Sequence, residues 1–91
     1  MELKYDGRLI SLTKKEGQLV ELLLKNYPSM VKRDEIFNKL WDGMEYIDEN
    51  TLSVYITRIR YKFNELGIRN ALETIRGSGY RLHNTWERSI H

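Results

Sequence analysis

Arg58, Arg60 and Lys62 crowd one short stretch of the chain, and Arg76 and Arg81 bracket Gly77-Ser78-Gly79 further on. Cationic side chains grouped in this way suit recognition of phosphates and base edges. The Arg58 guanidinium offers a two-pronged fork to guanine O6 and N7, which in a DNA major groove gives about 1–3 kcal/mol of discrimination. Arg60 lies on the other flank of the same stretch and cannot read the same groove floor, which leaves it a phosphate or an internal ion pair. Lys62 suits a backbone phosphate or plain solvent. Arg76, beside glycines that permit a tight tip, suits a narrow minor groove, where the potential is most negative. Asn50 and Thr51 stand where a helix N-terminus offers phosphate contacts or simple capping. Val54 suits a thymine methyl or the edge of a core. Catalytic chemistry finds no footing, because no nucleophile stands with a placed base. Asp34 and Glu35 are neighbours at a helix start, not carboxylates paired across a cleft. His83 and His91 are too far apart in sequence to suggest a metal site, and no dinucleotide fingerprint is present. An enzyme, a cofactor or a bound metal is therefore not expected.

Positioning these groups requires a helix and a hairpin. Leu52, Ile56, Ile59, Phe63 and Leu66 recur at spacings of four, three, four and three, which is one apolar stripe for a core. Thr51, Val54, Arg58 and Lys62 lie roughly 120° away, with Tyr55 at the border of that polar-basic face. Thr74 to Leu82 reads as a β-hairpin with an arginine on each arm. Upstream, Asp6-Gly7 between Glu2–Tyr5 and Arg8–Leu12 predicts a hairpin with a type I′ turn. Thr13-Lys14-Lys15-Glu16 reads as a capping box. It opens a first helix that buries Leu19, Val20, Leu22 and Leu23 and ends at Tyr27-Pro28-Ser29. A second helix is expected from about Arg33 to Trp41, with Asp34 and Glu35 in its first turn and Ile36, Phe37, Leu40 and Trp41 as its core pattern. Trp41 is expected in the core with its indole N–H free for a phosphate. Asp42–Ile47 is a connection longer than a tight helix-turn-helix turn. A third helix follows, opened by Asp48-Glu49-Asn50 and closed near Gly67. Two strands, three helices and two strands make an α+β domain in which sheet and helices share one core. Helix plus basic hairpin is the layout of a winged-helix DNA reader.

Size and charge fit that layout. Ninety-one residues make one small domain spanning 1–91, with a core from 8 to 82. Residues 83–91 read as a frayed tail, with Trp86 available to dock. The absence of cysteine removes thiol catalysis and thiolate metal sites and fits a reducing cytoplasm. No apolar run reaches the length of a membrane span, and the N-terminus does not read as a signal peptide. The net charge is only +2, but it is unevenly spread. Residues 34–50 hold six acids and one lysine, whereas residues 51–82 hold six arginines and lysines against two acids. A solvated charged face is the plain reading of such runs; a basic face for nucleic acid is the sharper one.

Five segments taken in order resemble a known family: Leu12-Thr13-Lys14-Lys15-Glu16, Arg33-Asp34-Glu35-Ile36, Leu40-Trp41, Asp48–Lys62 with Arg58-Ile59-Arg60 at its centre, and Ile75-Arg76-Gly77-Ser78-Gly79-Tyr80-Arg81. They are similar to the DNA-binding effector domain of OmpR/PhoB-type response regulators, and the similarity runs from about Arg8 to Leu82. The resemblance implies a winged helix-turn-helix of a bacterial two-component regulator, with the third helix in the major groove and the wing at the minor groove. It implies DNA contacts at Thr51, Val54, Tyr55, Arg58 and Arg60, a wing contact at Arg76, and phosphate contacts at Trp41 and Thr74. It also implies direct-repeat sites on double-stranded DNA, an upstream receiver domain with its sensor kinase, and an RNA polymerase contact on Asp42–Ile47, here carried by Glu45 and Tyr46. The chain departs from the family pattern at Asn50 (often arginine), Tyr55 (often histidine), Gly17 (often large and apolar) and Lys32 (often a Ser or Thr cap). It also opens with less β-strand than the family domain.

Two functions from different classes compete. One is sequence-specific duplex binding for transcription control in the cytoplasm. The other is a winged-helix module for protein–protein contact through the acidic Asp34–Asn50 region. Arginines at both the helix face and the hairpin favour the first.

Overall fold

The N-terminal hairpin forms where Asp6-Gly7 predicts it. A computed structural model describes residues 1–41 and 49–84. In it, β1 (Glu2–Tyr5) pairs antiparallel with β2 (Arg8–Ser11), Leu3 opposite Ile10 and Tyr5 opposite Arg8. Asp6 and Gly7 take φ values of 51° and 77°, the two positive angles that a type I′ turn demands. Leu3, Tyr5 and Ile10 turn inward and pack against the core.

Helix α1 (Lys14–Asn26) opens on the expected capping box. The Glu16 N–H donates to Thr13 Oγ1 at 3.2 Å, and the Thr13 N–H donates to Glu16 Oε1 at 2.8 Å. Two orphan donors of the first turn are thereby satisfied at once. Leu19, Val20, Leu22 and Leu23 are buried, as their spacing predicts. Gly17 has no side chain of its own to bury, and Met1 fills the place: a Cβ on Gly17 would meet Met1 Sδ at 1.8 Å. Backbone holds Met1 there, since the Leu12 N–H donates to the Met1 carbonyl at 2.7 Å.

The next strand is absent from the expected element order. Val31 and Lys32 form β3, directly before α2 (Arg33–Leu40). Two residues are too few to show an alternating pattern, and the strand exists only because a partner lies beside it. Lys32 occupies the N-cap of α2 and makes no side-chain cap. The Arg33 N–H is satisfied instead by the Ser78 carbonyl of the distant hairpin, at 3.2 Å.

Helix α3 (Glu49–Glu65) buries the predicted stripe of Leu52, Ile56, Ile59, Phe63 and, just past its end, Leu66. Gly67 stops it. With φ at 86°, Gly67 donates to the Asn64 carbonyl at 3.0 Å and Ile68 donates to Phe63 at 2.8 Å, the paired bonds of a Schellman motif. The chain then forms β4 (Leu72–Ile75) and β5 (Gly79–Leu82), which pair antiparallel with Thr74 opposite Tyr80. The sheet order is β3-β5-β4, so β5 is the central strand. Gly79 is required there: a Cβ would approach the Val31 carbonyl oxygen to 2.1 Å. The close approach that this glycine permits is to the protein's own backbone.

Leu19, Leu23, Val31, Ile36, Leu52, Ile56 and Ile59 are almost wholly sequestered and form the centre of one core shared by helices and sheet. Each contributes about 1.5–3 kcal/mol through burial. Among the described residues no helix is long and apolar enough to cross a membrane. His83, assigned to a frayed tail by the sequence, is instead tied down: its N–H donates to the Ala71 carbonyl at 2.6 Å. The rest of that expected tail beyond Asn84, with Trp86, lies outside the described residues, as does the Asp42–Ile47 connection with Glu45 and Tyr46.

Candidate nucleic-acid interface

The outer face of α3 carries most of the expected recognition residues. Asn50, Val54 and Arg58 are exposed and Thr51 is half-buried, while Leu52, Ile56 and Ile59 hold the opposite stripe in the core. Val54 keeps 45% of its surface accessible, which removes the core-edge alternative and leaves an aliphatic knob on a polar face. Tyr55 is half-buried at the border of that face. Its ring meets Trp41 edge-on, with centroids 5.6 Å apart and planes at 63°. The Arg58 guanidinium carbon lies 5.7 Å from the centre of the Tyr55 ring.

Trp41 is 8% exposed, in the core as expected. It caps the end of α2, 5.9 Å from Phe37 by ring centroids, and the Lys15 ammonium sits 5.3 Å from its own. Lys15 also donates to the Leu40 carbonyl, which is one of the orphan acceptors at the C-terminus of α2.

Arg60 and Lys62 are engaged inside the protein. The Arg60 Nε donates to the Leu72 carbonyl at 3.2 Å and Nη2 donates to Thr74 Oγ1 at 2.7 Å. Of the expected alternatives for Arg60, the internal one is present here, although the partner is a hydroxyl and a carbonyl and not an acid. Lys62 needs a larger correction. Its ammonium lies 2.6 Å from Glu16 Oε1 and donates to the Ser11 carbonyl at 3.0 Å. The ammonium is thus engaged in an internal bridge rather than left in plain solvent, and a phosphate would have to compete with a buried carboxylate for it. Burial alone would push the Glu16 carboxyl up. The Lys62 ammonium and the Thr13 amide together outweigh that and hold it below its ordinary value. No sequence signal could pair Glu16 with Lys62 across 46 positions, because each residue already had a local role.

The hairpin of β4 and β5 presents Arg76 at its exposed turn beside Gly77, whose φ is 77°. Thr74 is exposed on β4, its hydroxyl accepting from Arg60. Arg81 is not available in the same way, because it pairs across the strands with Glu73, which also lies 2.8 Å from His83 Nε2. Hydrogen bonding from Arg81 first, and from His83 second, holds the Glu73 carboxyl below its usual range. The wing thus neutralises its root and keeps its free arginine at the tip. The described site therefore brings together Asn50, Thr51, Val54, Tyr55 and Arg58 on α3 with Trp41 behind them. It links Arg60 to Thr74 on β4, with Arg76 at the tip, and leaves Lys62 on the α1 side. Glu45 and Tyr46 fall outside the described residues.

Comparison with known proteins identifies the family of this fold. A family model described as transcriptional regulatory protein, C terminal, matches residues 7–82. The chain is 43% identical over 81 residues to the transcriptional regulatory protein YxdJ of Bacillus subtilis (strain 168), covering 89% of this chain and 35% of that protein. Against other relatives the coverage is alike, so the chain spans about a third of their length. Among solved structures, the C-terminal domain of the nisin resistance regulator NsrR superposes with a TM-score of 0.75 at 32% identity, over 89% of this chain and 82% of that one. The DNA-binding domain of the response regulator AdeR, solved in complex with an intercistronic region, superposes with a TM-score of 0.78 at 27% identity, over the same shares. Three helices, a core they share with the sheet and a β-hairpin wing after α3 are features of one architecture, and the chain belongs to the C-terminal, winged-helix DNA-binding domain family of OmpR/PhoB-type response regulators.

Proposed function

We propose that this domain binds specific duplex DNA and controls transcription as the output domain of a two-component response regulator. The observation that carries the reading is the division of α3: one stripe held in the core, and the opposite face offering Asn50, Val54 and Arg58 to a major groove. Arg58 reads a base edge, Val54 contacts a thymine methyl, and Asn50 and Thr51 meet phosphate at the helix start. Tyr55 and Trp41 lie behind Arg58 at the border of that surface. Arg76 enters the adjacent minor groove, with Thr74 at a phosphate. Arg60 supports the wing from α3. Two copies occupy a direct repeat, each domain following a receiver that a sensor kinase phosphorylates, in the cytoplasm. The connection with Glu45 and Tyr46 is the surface for RNA polymerase, since phosphate repels its acids and long connections tend to carry function.

The test is selection of bound duplexes from a random pool, followed by titration of the selected duplex at several salt concentrations. With Arg60, Lys62 and Arg81 held internally, about two phosphates per monomer are neutralised, and log K falls against log salt with a slope of roughly −2. A pool that yields no preferred duplex, with association indifferent to salt, would instead indicate a protein-docking module.

A further inference from the structure

Arginine carries its charge on a long side chain, and ordering that chain at an interface costs binding free energy and blurs discrimination. The structure provides Arg58 with a platform. Tyr55 precedes it by three positions on α3, so both lie on one helix face. The guanidinium carbon is 5.7 Å from the ring centroid, inside the roughly 6 Å reach of a cation–π contact. The ring is itself held in place. Trp41 meets it edge-on at 5.6 Å, and Trp41 in turn contacts Phe37 and the Lys15 ammonium. Groups from α1 and α2 thus converge behind one half-buried tyrosine of α3, and the Arg58 cation lies over its ring.

We infer that Tyr55 is a positioning residue: the cross-helix aromatic stack orients the Arg58 guanidinium before DNA arrives, and Tyr55 thereby sets how sharply Arg58 distinguishes guanine from other bases. The inference rests on the DNA-binding reading above. It replaces a contact made by Tyr55 itself with an effect transmitted through Arg58. What the role requires is an aromatic face, since the cation is drawn to the ring quadrupole. The phenol hydroxyl is not needed.

The experiment uses the 91-residue chain and a duplex selected from a random pool. Substituting 7-deazaguanine at each guanine in turn removes N7 and locates the base that loses its preference in Arg58→Ala. Tyr55→Leu then lowers the preference for guanine over 7-deazaguanine at that position by about two- to fivefold. Tyr55→Phe leaves the preference at the wild-type level. In an Arg58→Ala background, Tyr55→Leu causes no further loss, because the two changes remove one interaction. Tyr55→Met repeats the test should the leucine variant fail to fold, as judged by thermal unfolding. Three results overturn the inference alone: Tyr55→Phe losing as much as Tyr55→Leu, which makes the hydroxyl a DNA contact; Tyr55→Leu keeping its full effect without Arg58; or Tyr55→Leu and Tyr55→Met both matching wild type. A wild-type chain that enriches no duplex overturns the DNA-binding reading, and this inference with it.

Discussion

The Lys62 ammonium, on α3, lies 2.6 Å from the carboxylate of Glu16 at the start of α1, and the Glu16 side chain is only 2% exposed. A residue of the apparent basic face thus joins two helices from within. Removing one partner of a buried pair leaves the other charge uncompensated, a cost that runs to several kcal/mol. Here Glu16 would keep the Thr13 amide, which reduces the penalty. Lys62→Met is expected to lower unfolding free energy by about 2–4 kcal/mol in urea titration, while operator affinity of the folded fraction stays close to wild type. A normally stable variant with a weaker salt dependence of DNA binding would return Lys62 to the phosphate backbone.

The same pair predicts an acid limb. Glu16 and Glu73 both titrate below their ordinary value of 4.5 when folded. Well above 4.5 both groups are charged in folded and unfolded chains, and their contribution is complete. As pH falls below 4.5 toward the folded values, the unfolded chain takes up protons first, and stability drops. Unfolding followed between pH 7 and pH 3 is expected to show a plateau down to about pH 5 and then a decline. Glu16→Gln should be less stable on the plateau and shallower in the decline. An equally steep acid limb in that variant would remove Glu16 as a cause.

Arg58 and Arg76 are expected to fail differently. Arg58→Ala removes base readout and leaves phosphate contacts, so the preference for operator over random duplex falls by about 1–3 kcal/mol while non-specific binding changes little. Arg76→Ala weakens all sites, those with A·T-rich flanks most. Competition titrations with operator, flank variants and random duplex distinguish the two patterns. Equal, sequence-blind losses would contradict the assignment.

Arg60 distinguishes an internal tie from a phosphate contact. Its bonds to Leu72 and Thr74 join α3 to the wing. Arg60→Ala is therefore expected to reduce stability by about 0.5–1.5 kcal/mol and to weaken binding chiefly at sites that depend on the minor-groove flank. Calorimetric unfolding with the same flank duplexes checks both. An unchanged melting temperature together with a salt slope smaller by about one unit would make Arg60 a direct phosphate ligand.

Local chemistry made much of this fold legible. Asp6-Gly7 fixes two positive φ angles, Thr13 and Glu16 cap one another, and the α3 stripe repeats at helical spacing, so each element was written in a few adjacent residues. The hairpin from Thr74 to Leu82 and the polar face of α3 are legible in the same way, and the family pattern adds roles for their residues. What stayed hidden was created by distant partners. Val31 and Lys32 become a strand because β5 lies beside them. His83 leaves the tail because Ala71 and Glu73 hold it. Lys62 reads as a groove cation because helical rotation cannot show that α1 begins a few ångströms away. The sequence leaves Arg60 two alternatives, and the course of β4 decides between them. Side chains with long arms are the ones whose partners sequence periodicity places least well.

The contact between Gly79 and Val31 bears on how wings can be exchanged among such domains. Because β5 is wedged against β3, and because the Ser78 carbonyl completes the start of α2, the C-terminal arm of the hairpin belongs mechanically to the helical body. A graft that keeps Ser78 and Gly79 in register with Val31 and Arg33 inherits an aligned mount. One that shifts them by a single residue turns the central strand over and drives a side chain into a carbonyl. The modular part of this wing is thus only its turn up to Gly77, and the reach of Arg76 is adjustable from the β4 side alone.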